Sequence, residues 1–102
     1  MDKTIITTVR EAVAKHILVD RVYLFGSRAR GDAHEDSDYD FAIISESFNG
    51  MRFIERQLLI RPLIRNAIGY VPFDVVCYTP EEYEKGKNAF LPSIIEEEGI
   101  LV

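Results

Sequence analysis

The stretch GSRARGDAHEDSDYDFAI, residues 26–43, joins a glycine-serine turn to an Asp-x-Asp pair at the head of a strand. It follows VYLF (Val22–Phe25), a short aromatic and β-branched run that reads as a buried strand. Gly26 stops that strand, and a glycine there lets the backbone approach a ligand closely. Ser27 reads as the cap of a short helical turn, whose first N–H groups and partial positive charge suit a phosphate. Arg28 and Arg30 add cationic groups, one to face phosphate and one the surface, and Gly31 ends the turn. The lysine-serine/threonine ending of a P-loop is absent, and so is the G-x-G-x-x-G of a dinucleotide site.

DYDFAII (Asp38–Ile44) reads as the second strand. Residues i and i+2 of a strand share a face, so Asp38 and Asp40 project together, roughly 7 Å apart at their backbones. Tyr39, Phe41 and Ile43 face a core on the other side. Two carboxylates on one face repel unless a cation lies between them, and Mg²⁺ prefers such hard oxygens. A solvated strand end has the same pattern, so the pair alone decides little. FDVVCY (Phe73–Tyr78) reads as the third strand, with Asp74 among apolar residues. A lone carboxylate at the start of a central strand is costly unless paired or bound to metal. Were the second and third strands neighbours, Asp74 would join Asp38 and Asp40 in a two-metal site beside an attacking hydroxyl. Otherwise Asp74 is a salt-bridging residue at a strand edge. The turn and the three acids together suit one use: holding a nucleoside triphosphate with its metals and transferring its nucleotidyl group.

Outward from this stretch the chain alternates helix and strand. Val9, Ala12, Val13 and Ile17 are spaced like one face of a helix, opened by Thr8 with Glu11 or by an earlier start near Asp2. Met51 to about Ala67 is helical, with Pro62 expected to kink or split it and Gly69 to stop it. TPEE gives the clearest helix start, with Thr79 as cap, Pro80 at the first position and Glu82 closing a capping box. Gly86 and Pro92 break up the chain beyond it, Gly99 ends a last helix, and Ile100–Val102 reads as a short strand. The order implies an α/β (α+β) fold, a small mixed sheet with helices packed on it. Arg52, Arg56, Arg61 and Arg65 read as a solvated helix face, and Glu96–Glu98 as a solvated helix end. Tyr78, Tyr83 and Phe90 read as packing residues, Cys77 as a small buried hydrophobe, and His16 and His34 as surface.

Length allows one domain, residues 1–102. An apolar share of 47% and a charged share of 28% argue against disorder. A net charge of −5 argues against nucleic-acid binding through a basic face. It leaves room for a nucleotide held through divalent cations. No apolar run approaches the ~18 residues of a membrane span, and the first residues lack a signal peptide's apolar core. One cysteine forms no internal disulfide, so a reducing cytoplasm is expected.

Gly26, Ser27, Ala29, Gly31, Ser37, Asp38, Asp40 and Asp74 reproduce a pattern: Gly-Ser-x-Ala-x-Gly, then Ser-Asp-x-Asp, then a later strand aspartate. In this the chain resembles the polymerase-beta-like nucleotidyltransferase superfamily, and most closely its minimal bacterial and archaeal members, over nearly its whole length. The resemblance implies that Gly26 and Ser27 bind the triphosphate of ATP, with Arg28, Arg30 and Ser37 around it. It implies that Asp38 and Asp40 ligate Mg²⁺, two ions in all, and that Asp74 completes the metal site and helps deprotonate the acceptor. A core this small leaves one wall of its cleft to an acceptor or a partner subunit, in a homo- or hetero-oligomer. Minimal members are often encoded beside a HEPN-domain ribonuclease toxin. The resemblance therefore implies an antitoxin that transfers AMP to a tyrosine of that toxin. Two alternatives are a small-molecule nucleotidyltransferase of the aminoglycoside-modifying kind and a non-catalytic subunit that neutralises its partner by occlusion.

Overall fold

In the computed structural model, which describes residues 3–86 and 89–101, four strands form one mixed sheet in the order β3-β2-β1-β4. The elements run α1 (Lys3–Ala14), β1 (Arg21–Phe25), α2 (Ser27–Arg30), β2 (Tyr39–Ile44), a 3-10 turn (Glu46–Phe48), α3 (Phe53–Ile68), β3 (Phe73–Tyr78), α4 (Pro80–Lys85), α5 (Phe90–Glu98) and β4 (Ile100–Leu101). β1 pairs antiparallel with both β2 and β4, while β2 pairs parallel with β3. A parallel pair needs a long crossover, which α3 supplies. Asp2, Val102 and the side chain of Phe90 lie outside the described residues.

Strand alternation sorts the apolar side chains onto two faces. Val22, Leu24, Phe41, Ile43, Phe73, Val75 and Cys77 meet Ile6, Val9 and Val13 of α1 and Ile60 and Ile64 of α3. Tyr23, Phe25, Ala42 and Ile44 meet Tyr83 of α4 and Ile95 of α5. The sheet is thus covered on both faces, which is why its strands read as continuous apolar runs. Asp40 and Asp74 break those runs at one end of the sheet.

Several local expectations change. α1 starts at Lys3, so Thr8 lies inside it, where its hydroxyl donates to the Thr4 carbonyl and caps nothing. Pro62 sits inside α3 without splitting it. The inward residues Ile60 and Ile64 on either side of it are fully buried, and that packing outweighs the lost hydrogen bond. β3 is an edge strand, so its Asp74 escapes the cost of a central position. The Thr79–Glu82 capping box forms as read, with Pro80 in the first turn. The arginines of α3 are not one solvated face. Arg56 is buried, while Arg65 donates to the carbonyls of Gly69 and Val71.

Cys77 is buried, and burial pushes its thiol pKa up to about 12. Iodoacetamide at pH 8 should therefore leave the native chain unlabelled and label it once unfolded in urea, as mass spectrometry would read directly. Labelling of the folded chain would show that β3 opens.

Candidate active site

The site stands at the end of the sheet where β1 leaves and β2 and β3 enter. In register, Phe25 pairs with Asp40 and Asp40 with Asp74, so strand pairing alone places the last two side by side. Partners in register present their side chains to the same face. Asp38 lies one residue before β2 and is exposed, whereas Asp40 is half-buried. The Asp40 carboxyl is raised above its usual value, first by burial, then by the charges of Asp74 and Asp38, with Arg30 opposing. Three acids of the sequence pattern thus share one electrostatic neighbourhood.

Gly26 enters this neighbourhood from above. Its φ is +78°, a region side chains avoid, and a Cβ there would overlap Oδ2 of Asp40. The turn and the carboxylate are therefore packed against one another with no room for a larger residue. Gly26→Ala is expected to cost about 1–3 kcal/mol of stability through backbone strain and to displace Asp40. A lowered melting temperature with lost nucleotide binding would check this; an unchanged melting temperature would contradict it.

Gly26 itself caps α2, so Ser27 is its first residue and not its cap. Gly31 closes the turn in the left-handed conformation, φ +84°. The two arginines of the turn divide their work. Arg28 donates to the carbonyls of Ser37 (2.9 Å from Nη2) and Glu35 (3.2 Å) and lies over the Tyr39 ring. It folds the 32–38 loop back onto the turn. Ser37 completes that loop by accepting the His34 N–H at its hydroxyl, 2.8 Å. Arg30 is the half-exposed cation, and it contacts Asp32 at 3.2 Å and Glu98 at 3.0 Å.

Glu98 is not the solvated helix end that its sequence suggests. Its Oε1 accepts from both the Gly26 N–H (3.2 Å) and Arg30. A carboxylate thus holds the anion position that the turn offers. The signal is tertiary, since 72 residues separate the partners. Arg61 likewise belongs to the site although the sequence places it on a solvated face. Its guanidinium lies over the Phe73 ring, and Nη1 stands 3.3 Å from Asp74 Oδ1, which also accepts the Val75 N–H.

The donor set is three carboxylates without thiol or imidazole, which fits a hard divalent cation such as Mg²⁺. Among the described residues no three such groups already stand at metal-holding geometry. Asp74 is turned toward Arg61, but its side chain is 72% exposed. An ion pair that exposed contributes at most about 1 kcal/mol, so Asp74 is free to reorient.

Residues 6–102 match the family model described as a nucleotidyltransferase domain. Among solved structures, a protein of Sulfolobus solfataricus described as a nucleotidyltransferase superposes with a TM-score of 0.64 at 23% identity, over 93% of this chain and 72% of that one. A toxin–antitoxin structure with AMP-PNP gives 0.68 at 22% identity, over 93% and 69%. BolA1 from Arabidopsis thaliana gives 0.60 at 20% identity, over 79% and 98%. These are likenesses of fold, and a fold alone does not fix a chemistry. No curated protein matches the chain in sequence.

Proposed function

The chain belongs to the nucleotidyltransferase domain family, and we propose that it is an antitoxin that transfers AMP from ATP to a protein hydroxyl, a tyrosine of a HEPN-type ribonuclease toxin. The observation that carries the reading is the in-register Asp40–Asp74 pair, with Asp38 near it and the Gly26 backbone pressed against Asp40. The toxin–antitoxin fold relative with AMP-PNP supports the partner class and the nucleotide.

In this reading Asp38, Asp40 and Asp74 hold Mg²⁺, two ions in all. Bound there, the cations supply charge to neutralise the phosphates in flight. The turn at Gly26 and Ser27 receives the triphosphate through backbone N–H groups, with Arg30 as its cation. Arg28 and Ser37 keep the loop bearing Asp38 folded against the turn. The acceptor oxygen forms a bond to the α-phosphorus, the bond to pyrophosphate breaks, and the tyrosine proton passes to a carboxylate oxygen of Asp74. The acceptor leaves as its AMP ester.

Triphosphate must displace Glu98 from the Gly26 N–H and Arg30. Removing that competing charge should tighten nucleotide binding. Glu98→Gln is expected to lower the Kd for Mg²⁺·AMP-PNP by about three- to tenfold, or roughly 0.7–1.4 kcal/mol. Weaker binding in calorimetry would show instead that Glu98 supports the turn.

The transfer itself is tested by incubating the chain with Mg²⁺, ATP and the product of the adjacent gene, and then measuring intact mass. One or more AMP units on that product, lost without Mg²⁺, is the expected result. A stable complex with no mass gain and no nucleotide binding would favour neutralisation by occlusion.

A further inference from the structure

The outer face of α3 is more apolar than a solvated helix should be. Leu58 is 69% exposed and Phe53 71% exposed, with Ile54 also in solvent. Ile54, Leu58, Arg61, Pro62 and Arg65 form one i, i+4, i+7, i+8, i+11 stripe, which with Gln57 and Phe73 lines a groove of about 310 Å³. The groove reaches the start of the edge strand β3 at Phe73, and Arg61 of its lining contacts Asp74.

An exposed strand edge ordinarily invites another strand. Here that route is closed by α3 itself. Gln57 donates to the Val75 carbonyl at 2.9 Å and Arg56 to the Cys77 carbonyl at 3.1 Å. What docks beside β3 therefore engages side chains and not the sheet backbone. A ridge spaced at i, i+4 and i+7 fits the apolar face of another helix.

Charge selects among occupants. The groove lining holds two arginines and no acid, in a chain whose net charge is −5. A second copy seated by a two-fold axis would set these arginines against their own equivalents. A helix with apolar residues flanked by carboxylates meets no such repulsion and gains from it.

We propose that the α3 groove docks the acceptor protein through an amphipathic helix whose apolar stripe is flanked by acidic residues. The proposal rests on the transfer reading above and names the surface by which that acceptor is recognised. Arg61 lines the groove and pairs with Asp74, so an acceptor docked there stands beside the carboxylate that would take its proton.

The probe is a fluorescent 18-residue helical peptide with leucines at i, i+4 and i+7 and flanking glutamates, compared with the same peptide bearing lysines. Anisotropy is read on the wild-type chain and on Leu58→Glu, an exposed position whose change leaves the core intact. The glutamate peptide is expected to bind at least about tenfold more tightly than the lysine peptide, with that preference lost in the variant. Mg²⁺·AMP-PNP binding should be the same in both proteins. Equal binding of the two peptides, no binding of either, or indifference to Leu58→Glu would overturn the proposal. So would a wild-type dimer in sedimentation that Leu58→Glu dissociates, since a second copy would then own the face. Absence of peptide selectivity in the wild-type chain, with its nucleotide binding intact, would sink the docking surface alone. Peptide selectivity without nucleotide binding would sink the transfer reading alone.

Discussion

Asp38→Ala with Asp40→Ala should reduce AMP transfer by at least about a thousandfold while leaving the fold in place. The size follows from what the pair would hold. Cations that neutralise phosphate charge contribute several kcal/mol to the transition state, and about 4 kcal/mol is a thousandfold in rate. Retention of the fold follows from electrostatics. Asp40 has its carboxyl raised by burial and by two neighbouring acids, so its ionised form is disfavoured in the folded chain. A raised acid contributes least to stability above its folded value, and removing it at neutral pH relieves repulsion. The double variant should therefore melt at or above the wild-type temperature. Transfer of labelled AMP and a thermal melt, made on the same sample, read both halves. Transfer within tenfold of wild type would show that the acids are not the catalytic centre. A collapse in melting temperature would show that they are structural.

Arg56→Ala should give a large loss of stability for the change of a single polar side chain. Arg56 holds Glu82 with both nitrogens, at 2.6 and 3.0 Å, and donates to the carbonyls of Met51 and Cys77. It thereby ties α3, the end of β3 and the start of α4 together. Its side chain is 10% exposed, but that of Glu82 is 45% exposed, which moderates the cost. Two carbonyls and a carboxylate losing their donor amount to about 2–3 kcal/mol. For a domain of this size that is roughly 10–20 °C in melting temperature. Lysine should rescue little, because it has no fork to match the carboxylate. The deficit should also depend on pH in one direction. Glu82 is held below its usual value of 4.5, first by the Arg56 hydrogen bond. Its contribution is complete above that value and lost as pH falls through the lower folded one. Wild type and variant should therefore converge in acid, as urea melts at pH 7 and pH 3 would show.

The difference between Arg56 and its neighbours marks the limit of what sequence records. Apolar, aromatic and β-branched composition locates Val22–Phe25 and Phe73–Tyr78, because helices pack on both faces of the sheet. The Thr79–Glu82 box is legible because capping is chemistry between near neighbours. The aspartates are legible through their spacing and their apolar surroundings. That Asp74 sits opposite Asp40 needs the pairing of β2 with β3, which sequence offers only as a condition. The roles of Arg28, Arg56, Arg61 and Glu98 are not legible. Each is set by partners or packed rings from 5 to 72 residues away, and no local pattern records such a contact. Pro62 misleads because a propensity argument sees the lost hydrogen bond but not the buried Ile60 and Ile64 that hold the helix together.

Asp38, Asp40 and Asp74 with the Gly26 turn are proposed to form a metal-dependent nucleotide site. Calorimetric titration of AMP-PNP into the chain, with Mg²⁺ and then with EDTA, tests it most directly, using Asp38→Ala with Asp40→Ala as the control. Saturable one-to-one binding that requires Mg²⁺ and is absent from the double variant is the expected result. Binding of equal strength in EDTA, or in the variant, would place the nucleotide elsewhere and contradict it.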